Sequence, residues 1–431
     1  MYVPVKGKFW SAVLVAILWT LFGKWVSEEW LVDLTGVFGE AFATYIVLTI
    51  AVIPGFLTAF FSTSLWFDAR PPLQTRFASN PISVIVASFN EEAGIRRTID
   101  SIKEQIYYGE IEIIVVNDGS RDNTSAVLNT VQGIKVIDFI ANKGKYNALN
   151  AGLLYASHDL VVSVDSDCVL EPNAINNLVE RFNEDPGRTA AVAGSMMALN
   201  WATNFITRVQ YLDYFFGISV TKRVQSLYQA TSVAQGAFSL YRKDVLQKLG
   251  GWKRGIGEDI ILTWEMIADG YRVGHAENAY AYTIVPEHVW QLIKQRKRWA
   301  IGFFEALRHA PRIALCNNYF YATLIFNLMF VLVDFSYIFI LIPGIFLALT
   351  GNFLLAGPML LLVAALGMML NYLMFVVNGR TLKDMGTAFP RIGVGPFLFY
   401  FLVYSFLIQI SSVSGYLSLL VASKKTWGTR C

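Results

Sequence analysis

Two aspartates one residue apart, Asp165 and Asp167, close an apolar, β-branched run at residues 161–164. Such a run predicts a buried strand, and residues two positions apart along a strand point to the same side. Two carboxylates held that close repel each other unless a cation lies between them. Oxygen ligands suit Mg²⁺ or Mn²⁺, and Mg²⁺ is commonly bound by one or two carboxylates together with substrate phosphates. A strand that runs into an acidic turn would give the same pattern, so the pair needs support from elsewhere.

Polar residues also follow two earlier apolar runs, where Asn90-Glu91 and Asn117-Asp118 stand. Segment 142–145 opens a predicted helix and would bring lysine side chains and backbone N–H groups near a phosphate. Ligands of open α/β sheets bind beyond the carboxyl ends of the strands, where all these clusters lie. A sugar activated by a nucleoside diphosphate would find there a polar slot for its base and a cation for its diphosphate.

Two more acidic residues, Glu258 and Asp259, precede a predicted helix that starts near Ile260. A carboxylate at this position could take the proton from an attacking sugar hydroxyl, given hydrogen-bond reach. Asp is also a common helix N-cap, so a purely structural role for Asp259 stays open.

A basic helix follows and contains Gln295, Arg298 and Trp299. A basic face beside an apolar one is typical of an interfacial helix on anionic lipid. Trp299 also presents a flat face on which a sugar ring can stack, and Arg298 could offer its planar fork to a leaving diphosphate. The helix therefore has a membrane interpretation and a catalytic one.

The elements that would position these residues alternate between strand and helix, which predicts right-handed crossovers and a parallel sheet. The predicted strands are residues 82–87, 111–116, 134–139 and 160–164. The predicted helices between them are residues 93–105, 122–131 and 145–157.

The chain as a whole has the composition of a membrane protein. Of its 431 residues, 55% are hydrophobic and 16% are charged, against roughly 25% charged in soluble domains. Its mean hydropathy is +0.45, and a net charge of +3 implies no general affinity for nucleic acid. Three widely spaced cysteines exclude an obvious zinc site or disulfide framework. The apolar blocks are residues 9–23, 42–67, 319–349, 353–378 and 395–421.

The positive-inside rule predicts the topology of these blocks. Lys6, Lys8, Arg70 and Arg76 flank the first two blocks, which places the N-terminus and everything after Arg70 up to the next apolar block in the cytoplasm. A signal peptide is the competing interpretation of the first block, but no small-residue cleavage site follows it. Three C-terminal spans would place the basic C-terminus on the outer side of the membrane, which the positive-inside rule disfavours. One of the three C-terminal blocks is therefore a candidate re-entrant or interfacial segment.

The motifs stand in the order D…DxD…xED…QxxRW, carried by Asp118, Asp165-Ser166-Asp167, Gly257-Glu258-Asp259 and residues 295–299. This ordered set, over residues 81–310, resembles the processive, membrane-integrated glycosyltransferases of family 2, which include cellulose, chitin, hyaluronan and poly-N-acetylglucosamine synthases. The resemblance implies an α/β GT-A-like (Rossmann-like) cytoplasmic domain inserted between transmembrane helices. The implied parts are two helices in residues 1–75, the catalytic domain in 76–310 with interfacial helices near 201–228 and 289–308, and channel-forming helices in 311–431.

The resemblance also implies a role for each matching residue. In donor binding, Glu91 and Asp118 would contact uridine, and Lys145 would lie near the diphosphate. Asp165 and Asp167 would bind the nucleotide and Mg²⁺ or Mn²⁺, with Asp167 favoured as the direct ligand of the metal. Asp259 would be the general base. The acceptor and diphosphate side would be formed by Gln295, Arg298, Trp299, Glu258 and Gly236.

The implied reaction is processive and inverting, with a growing polysaccharide as acceptor and UDP-N-acetylglucosamine as the favoured donor. Residues 258–264 resemble poly-N-acetylglucosamine synthases, whereas the ending at 425–430 resembles some hyaluronan synthases. Hyaluronan-type and cellulose- or glucan-type synthases therefore stay as alternatives, as do a non-processive transferase that loads a lipid carrier and a catalytically inactive assembly subunit. The implied partners are the UDP-sugar, the polysaccharide, the lipid bilayer of the cell membrane and a candidate small membrane subunit, without nucleic acid.

Overall fold

The computed structural model describes residues 3–68, 77–315, 319–357, 359–384 and 389–420. The chain divides into two units, one formed by Met1–Pro71 and Ala322–Leu417 and the other by Pro72–Tyr321 and Ser418–Cys431. Arg70, Arg76 and the terminal segment 421–431, on which part of the topology prediction depends, lie outside the described residues.

The N-terminal part is helical throughout. Its helices are α1 (Val5–Val26), α2 (Glu28–Phe38), α3 (Glu40–Val47) and α4 (Ile53–Trp66), with a π-helical turn at Leu48–Val52 that makes α3 and α4 continuous. The α2 stretch lies between the first two apolar blocks of the sequence. It is helical, and Trp30 and Leu34, one turn apart, are both buried in the same apolar cluster. The Trp30 indole N–H also donates to the Leu354 carbonyl at 2.6 Å.

The second unit is built on one eight-stranded sheet with the strand order β3-β2-β1-β4-β7-β6-β8-β5. The strands are β1 (Ile82–Ser88), β2 (Ile111–Asn117), β3 (Lys135–Asp138), β4 (Leu160–Asp165), β5 (Cys168–Leu170), β6 (Thr189–Ala198), β7 (Phe238–Arg242) and β8 (Arg272–Thr283). All seven residues of β1 are buried between β2 and β4, which explains its continuous apolar sequence.

The sheet is mixed, and the prediction of a parallel sheet is correct only for β3, β2, β1 and β4. Beyond them β7 runs antiparallel to both β4 and β6, while β8 is parallel to β6 and antiparallel to β5. The first four strands are parallel because a helix crosses back between each pair of them. The strands after β4 lack that regular alternation, so the sequence argument does not extend to them.

Among the described residues of this unit, nine α-helices connect or follow the strands. They are α5 (Ile95–Lys103), α6 (Thr124–Asn129), α7 (Lys145–Tyr155), α8 (Ala174–Glu184), α9 (Phe205–Leu212), α10 (Val220–Leu227), α11 (Lys243–Leu249), α12 (Glu258–Ala268) and α13 (Val289–His309). A π-helical segment, Asp213–Ser219, joins α9 to α10. These helices occupy the predicted interfacial stretches near 201–228 and 289–308, whose placement on a bilayer stays a prediction.

The C-terminal part is again helical. Its helices are α14 (Tyr319–Ser336), α15 (Ile342–Leu349), α16 (Met359–Asp384), α17 (Val394–Phe399) and α18 (Ser405–Leu420), with π-helical turns at Tyr337–Leu341 and Tyr400–Tyr404. Among the described residues, five continuous helices are long and apolar enough to cross a membrane. They are Val5–Val26, Glu40–Trp66, Tyr319–Leu349, Leu360–Asp384 and Val394–Leu419, and each overlaps one apolar block of the sequence.

Candidate active site

Three adjacent parallel strands end at the same edge of the sheet and bring the predicted donor residues together. In the sheet register Ser88 of β1 lies beside Asn117 of β2, and Ala87 lies beside Asp165 of β4. The loops that leave these strands are therefore neighbours. Glu91, Asp118 and Asp165 come from three distant parts of the sequence and meet at this edge.

The loops after β1 and β2 are fastened to each other by side chain–backbone hydrogen bonds. The Arg121 N–H donates to Asn90 Oδ1 at 2.9 Å, and the Asn123 N–H donates to Glu92 Oε2 at 2.8 Å. Asn90 has a φ of +54°, a left-handed conformation that Asn tolerates better than most residues. The Glu91 N–H donates to Thr124 Oγ1 at 2.9 Å, which fixes the backbone of that residue.

Asp118 is fully buried and holds the start of α7. Its Oδ1 accepts from the Lys143 N–H at 2.7 Å and its Oδ2 from the Gly144 N–H at 2.9 Å. Burial raises the pKa of this carboxyl group, against the lowering effect of the two hydrogen bonds and the Lys143 charge. Asp118 thereby fixes the helix start that carries Lys145. Its predicted contact with uridine stays a prediction.

Lys145 is the centre of a charge cluster that also contains the predicted residues Asp165 and Glu258. Its Nζ lies 2.6 Å from Asp165 Oδ1 and 3.4 Å from Glu258 Oε1. Burial acts to lower the pKa of Lys145, but the charges of Asp165 and Glu258 outweigh it and raise that pKa. A Cβ placed on Gly236 would lie 2.9 Å from Lys145 Nζ, so the backbone of the predicted acceptor-side loop also adjoins this cation.

Glu258 and Asp259 form the first turn of α12, which begins two residues before the predicted start. Gly257, and not Asp259, occupies the N-cap position, so the alternative interpretation of Asp259 as a cap is wrong. Asp259 Oδ2 accepts from the Gly236 N–H at 3.1 Å, and its Oδ1 accepts from the Ile260 N–H at 2.8 Å. Burial raises the pKa of Glu258 to about 7; the Lys145 charge lowers this pKa and the Asp259 charge raises it.

Asp167 lies in the turn after β4, so the expectation that both aspartates lie on the strand and point the same way is wrong. Asp165 points to Lys145, whereas Asp167 Oδ2 accepts from Thr283 Oγ1 at 3.3 Å. No group of three or more His, Cys, Asp or Glu side chains in the described ranges is arranged to hold a metal ion. Two hard carboxylate donors still suit a cation that takes its other ligands from a substrate diphosphate.

The QxxRW residues lie on α13 with different exposures. Arg298 is exposed and Trp299 is 38% exposed, whereas Gln295 is half-buried. The side-chain Oε1 of Gln295 has no hydrogen-bond partner among the described residues. An open aromatic face, an open guanidinium and an unsatisfied amide oxygen on one helix are suitable groups for binding a polar ring compound.

Two glycines let α13 approach the first turn of α12. A Cβ on Gly257 would lie 2.9 Å from the Gly302 Cα, and a Cβ on Gly302 would lie 3.1 Å from the Gly257 Cα. Glu305 reinforces the contact, because its Oε2 accepts from the Ile256 N–H at 2.7 Å. The close backbone approach keeps the helix with Trp299 against the turn with Asp259.

We expect Gly257→Ala to weaken this contact, because the new methyl group would clash with backbone atoms that cannot rotate away. The loss of stability should be about 1–3 kcal/mol, as for other overpacked sites. Thermal unfolding in detergent would measure it. Gly187→Ala is a matched control, since a Cβ there meets nothing within 4 Å. Equal melting temperatures for the two variants would contradict the proposed fit.

Sequence reasoning missed four residues at this site. Asp213, Tyr214 and Arg296 form a cluster with Trp299, and Lys222 lies on α10. Burial lowers the pKa of Lys222 to about 7, against the raising effect of the Asp259 charge. The doublet Asp213-Tyr214 and the lysine lie in a stretch assigned only as interfacial helix, and no spacing rule marks them. Arg296 lies inside the QxxRW motif but at an unspecified position.

The fold and the site define a GT-A-like α/β domain, with a mixed sheet, carboxylates at the carboxyl end of β4 and an acidic helix start that shares Lys145 with them. Residues 83–250 match the family model for glycosyl transferase family 2. Over these residues the domain is similar to that family.

Curated relatives and a solved structure agree with this assignment. The poly-beta-1,6-N-acetyl-D-glucosamine synthases of Staphylococcus epidermidis and Staphylococcus aureus strain COL are each 34% identical over 230 residues. Each match covers 52% of this chain and 55% of the relative, so the chain matches about half the length of these relatives. A mannosyltransferase from Pyrobaculum calidifontis in complex with GDP-Man and Mn²⁺ superposes with a TM-score of 0.52 at 18% identity, covering 86% of this chain and 99% of that one. This structural similarity shows that the chain and the mannosyltransferase share a fold. Within the described residues, the chain combines this GT-A-like domain with five helices that are long and apolar enough to cross a membrane.

Proposed function

We propose that the protein is a processive, inverting β-glycosyltransferase that polymerises a UDP-sugar, UDP-N-acetylglucosamine in the first instance, into an exopolysaccharide. One observation carries the proposal: Lys145 contacts both Asp165 and Glu258, which places the end of β4 beside the helix start that holds Asp259. A donor site and a proton acceptor thus lie at a single edge of the sheet. The names of the staphylococcal relatives support N-acetylglucosamine as the sugar.

On the donor side, Glu91 and Asp118 would bind the uridine and Lys145 the diphosphate. Both oxygens of Asp118 already accept backbone N–H groups, but each carboxylate oxygen has a further lone pair for a ligand. Lys145 lies at the start of α7, where the backbone N–H groups of a helix also favour an anion. The cation and the helix start would therefore act on the same phosphate group.

Asp167 and Asp165 would hold a divalent cation, Mg²⁺ or Mn²⁺, in this proposal. Such a cation supplies charge that offsets the negative charge on the departing diphosphate. The complex of the mannosyltransferase contains Mn²⁺, which supports a divalent cation in this protein as well. Both carboxylates are partly exposed, so that substrate phosphates can complete the ligand set.

On the acceptor side, Asp259 would take the proton from the terminal hydroxyl of the polymer. The oxygen of that hydroxyl then bonds to the anomeric carbon, the bond from that carbon to UDP breaks, and the α-configured donor gives a β-linkage. A single displacement needs one catalytic carboxylate. The Gly236 N–H fixes the orientation of Asp259, while Trp299, Arg298 and Gln295 would bind the acceptor sugar and the diphosphate.

The membrane part completes the proposal. The apolar helices would cross the cell membrane several times, with the catalytic domain in the cytoplasm, and would form the passage for the polymer. A small membrane subunit is a further candidate partner. The basic flanks of the first two apolar blocks support this orientation.

We expect Asp167→Asn to weaken cation-dependent nucleotide binding by about 10-fold to 100-fold, because an amide oxygen is a poorer ligand than a carboxylate. Titration of UDP with and without Mn²⁺ would measure the difference. Asp159→Asn, at the opposite end of β4, is the matched control and should behave as wild type. A variant with unchanged cation dependence would refute the assignment of Asp167.

The proposal as a whole is tested with purified full-length protein in detergent. Each UDP-sugar is supplied with Mg²⁺ or Mn²⁺, and both UDP release and product length are followed. Long products retained by the enzyme, formed from UDP-N-acetylglucosamine, are the expected result. Long products from another UDP-sugar would indicate a hyaluronan-type or glucan-type synthase, and single-sugar addition to a lipid would indicate a non-processive transferase. Release of no UDP from any donor would refute the enzymatic function.

A further inference from the structure

A buried arginine that belongs to no assigned motif position lies behind Trp299. Arg296 Nη2 donates to Asp213 Oδ2 at 2.6 Å, and the guanidinium carbon lies 4.0 Å from the centroid of the Trp299 ring. The same guanidinium lies 5.8 Å from the centroid of the Tyr214 ring. We call these four residues, Asp213, Tyr214, Arg296 and Trp299, the Arg296 cluster.

The burial of the Arg296 cluster is uneven. Arg296 is 7% exposed and Tyr214 is 4% exposed, whereas Trp299 keeps 38% of its surface open. A guanidinium removed from water is costly unless a charge and hydrogen bonds compensate it, and Asp213 supplies both. The buried groups of the cluster therefore hold an indole that is itself accessible to a ligand.

The cluster joins two helical segments that are far apart in sequence. Asp213 and Tyr214 begin the π-helical segment between α9 and α10. Arg296 and Trp299 lie on α13 and are three residues apart, so they share a face of that helix. The ion pair thus fixes the rotation of α13 at the position of the indole.

The helix that carries Arg296 and Trp299 also packs against the acidic start of α12. A Cβ on Gly302 of α13 would lie 3.1 Å from the Gly257 Cα, and Glu305 Oε2 accepts from the Ile256 N–H at 2.7 Å. The indole of Trp299 is therefore carried by the helix that adjoins the turn with Asp259.

We propose that Arg296, itself held by Asp213, is a positioning residue that fixes the Trp299 indole as the stacking platform for the acceptor sugar. This inference rests on the proposed glycosyltransferase function and deepens it. An indole already immobilised by a stacked guanidinium loses little further side-chain freedom when a sugar ring covers its open surface. A planar guanidinium can stack on the ring and pair with a carboxylate at the same time, which an ammonium group cannot.

The test compares Arg296→Lys, Trp299→Ala and the double variant in the full-length protein. UDP release is measured while the concentration of an N-acetylglucosamine oligosaccharide acceptor and that of the donor are varied separately. Lysine keeps the charge beside Asp213 but loses the planar stack. We expect Arg296→Lys to raise the acceptor KM about tenfold and to leave the donor KM unchanged, since cation–π contacts of partly buried rings have this order of strength.

The double variant separates positioning from a general structural effect. If Arg296 acts through the indole, Arg296→Lys adds nothing to the loss caused by Trp299→Ala. Lys294→Met, which removes an exposed cation from the same helix, is the control and should leave both KM values unchanged. Melting temperatures of all variants, measured in the same detergent, show whether the fold is retained.

Several outcomes would overturn the inference. These are additive losses in the double variant, a rise in the donor KM alone, or a lower melting temperature with an unchanged acceptor KM. Absence of UDP release by the wild-type protein would instead refute the proposed function. The inference is then decided by direct titration of the oligosaccharide, in which equal affinities of the wild type and Arg296→Lys would overturn it.

Discussion

Asp259→Asn is expected to reduce sugar transfer by about 10³-fold, because the variant loses the only group placed to accept the hydroxyl proton in our mechanism. Donor binding should survive. The single amide oxygen of the asparagine can still accept from the Gly236 N–H, although the bond from the Ile260 N–H is then lost, so the contact with the Gly236 loop is retained. The measurement is the initial rate of UDP release at saturating donor and acceptor, together with the Kd of the UDP-sugar.

Asp269→Asn is a matched control at the opposite end of α12. Asp269 forms a surface ion pair with Lys248 at 3.0 Å, and exposed pairs of this kind contribute little. Its rate should stay within about threefold of wild type. Wild-type turnover in Asp259→Asn would remove Asp259 from the mechanism. A loss of donor binding equal to the loss of rate would assign the residue to the donor site.

Lys145→Met is expected to weaken donor binding by about 10²-fold and to lower the melting temperature. The variant leaves Asp165 and Glu258 without the cation that they share. The pKa of Glu258 is about 7 in the intact cluster, and the charge of Lys145 lowers it. Removal of the lysine therefore raises the pKa of Glu258, so that this carboxyl group is protonated at neutral pH. The Kd of UDP, measured by calorimetry at several pH values, would report both effects.

The control for this prediction is Lys135→Met on β3. Lys135 lies 3.3 Å from Glu112 with 47% of its side chain exposed, so its loss removes a cation from the same sheet without leaving a buried charge unpaired. Donor binding by this variant should equal that of wild type. If Lys145→Met also binds UDP normally, the diphosphate does not depend on Lys145, and the cation serves only to hold the two carboxylates.

Much of the donor side could be predicted from the sequence because it follows local rules. Polar residues at the ends of consecutive apolar strands must share one edge when the strands are parallel, and the described structure places Glu91, Asp118 and Asp165 there. The five apolar blocks likewise match five long helices, since the length of an apolar run is visible directly in a sequence. Mixed strand directions were not predictable by this route, because β7 lies antiparallel between β4 and β6 although the helices α9 and α10 precede it in the chain.

The contacts among the side chains could not be derived from spacing. Arg296 and Asp213 are 83 residues apart, and their pairing depends on how α13 packs on the segment after α9. Similarly, Lys145 and Glu258 are both predicted site residues, but their positions in the sequence give no reason for one cation to contact both Asp165 and Glu258. Such pairs arise from tertiary packing, in which burial forces each charge to find a partner.

The fastening of the loop after β1 to the loop after β2 has a consequence for nucleotide recognition. The bonds of Asn90 to Arg121 and of Glu92 to Asn123 are made within the chain itself, so the entropy of ordering these loops is lost during folding. If the proposed nucleotide base binds at this slot beside the loops, its association needs no slow rearrangement of them. Discrimination among nucleobases at this slot would accordingly show itself in dissociation rates, with association rates nearly equal for the different nucleotides.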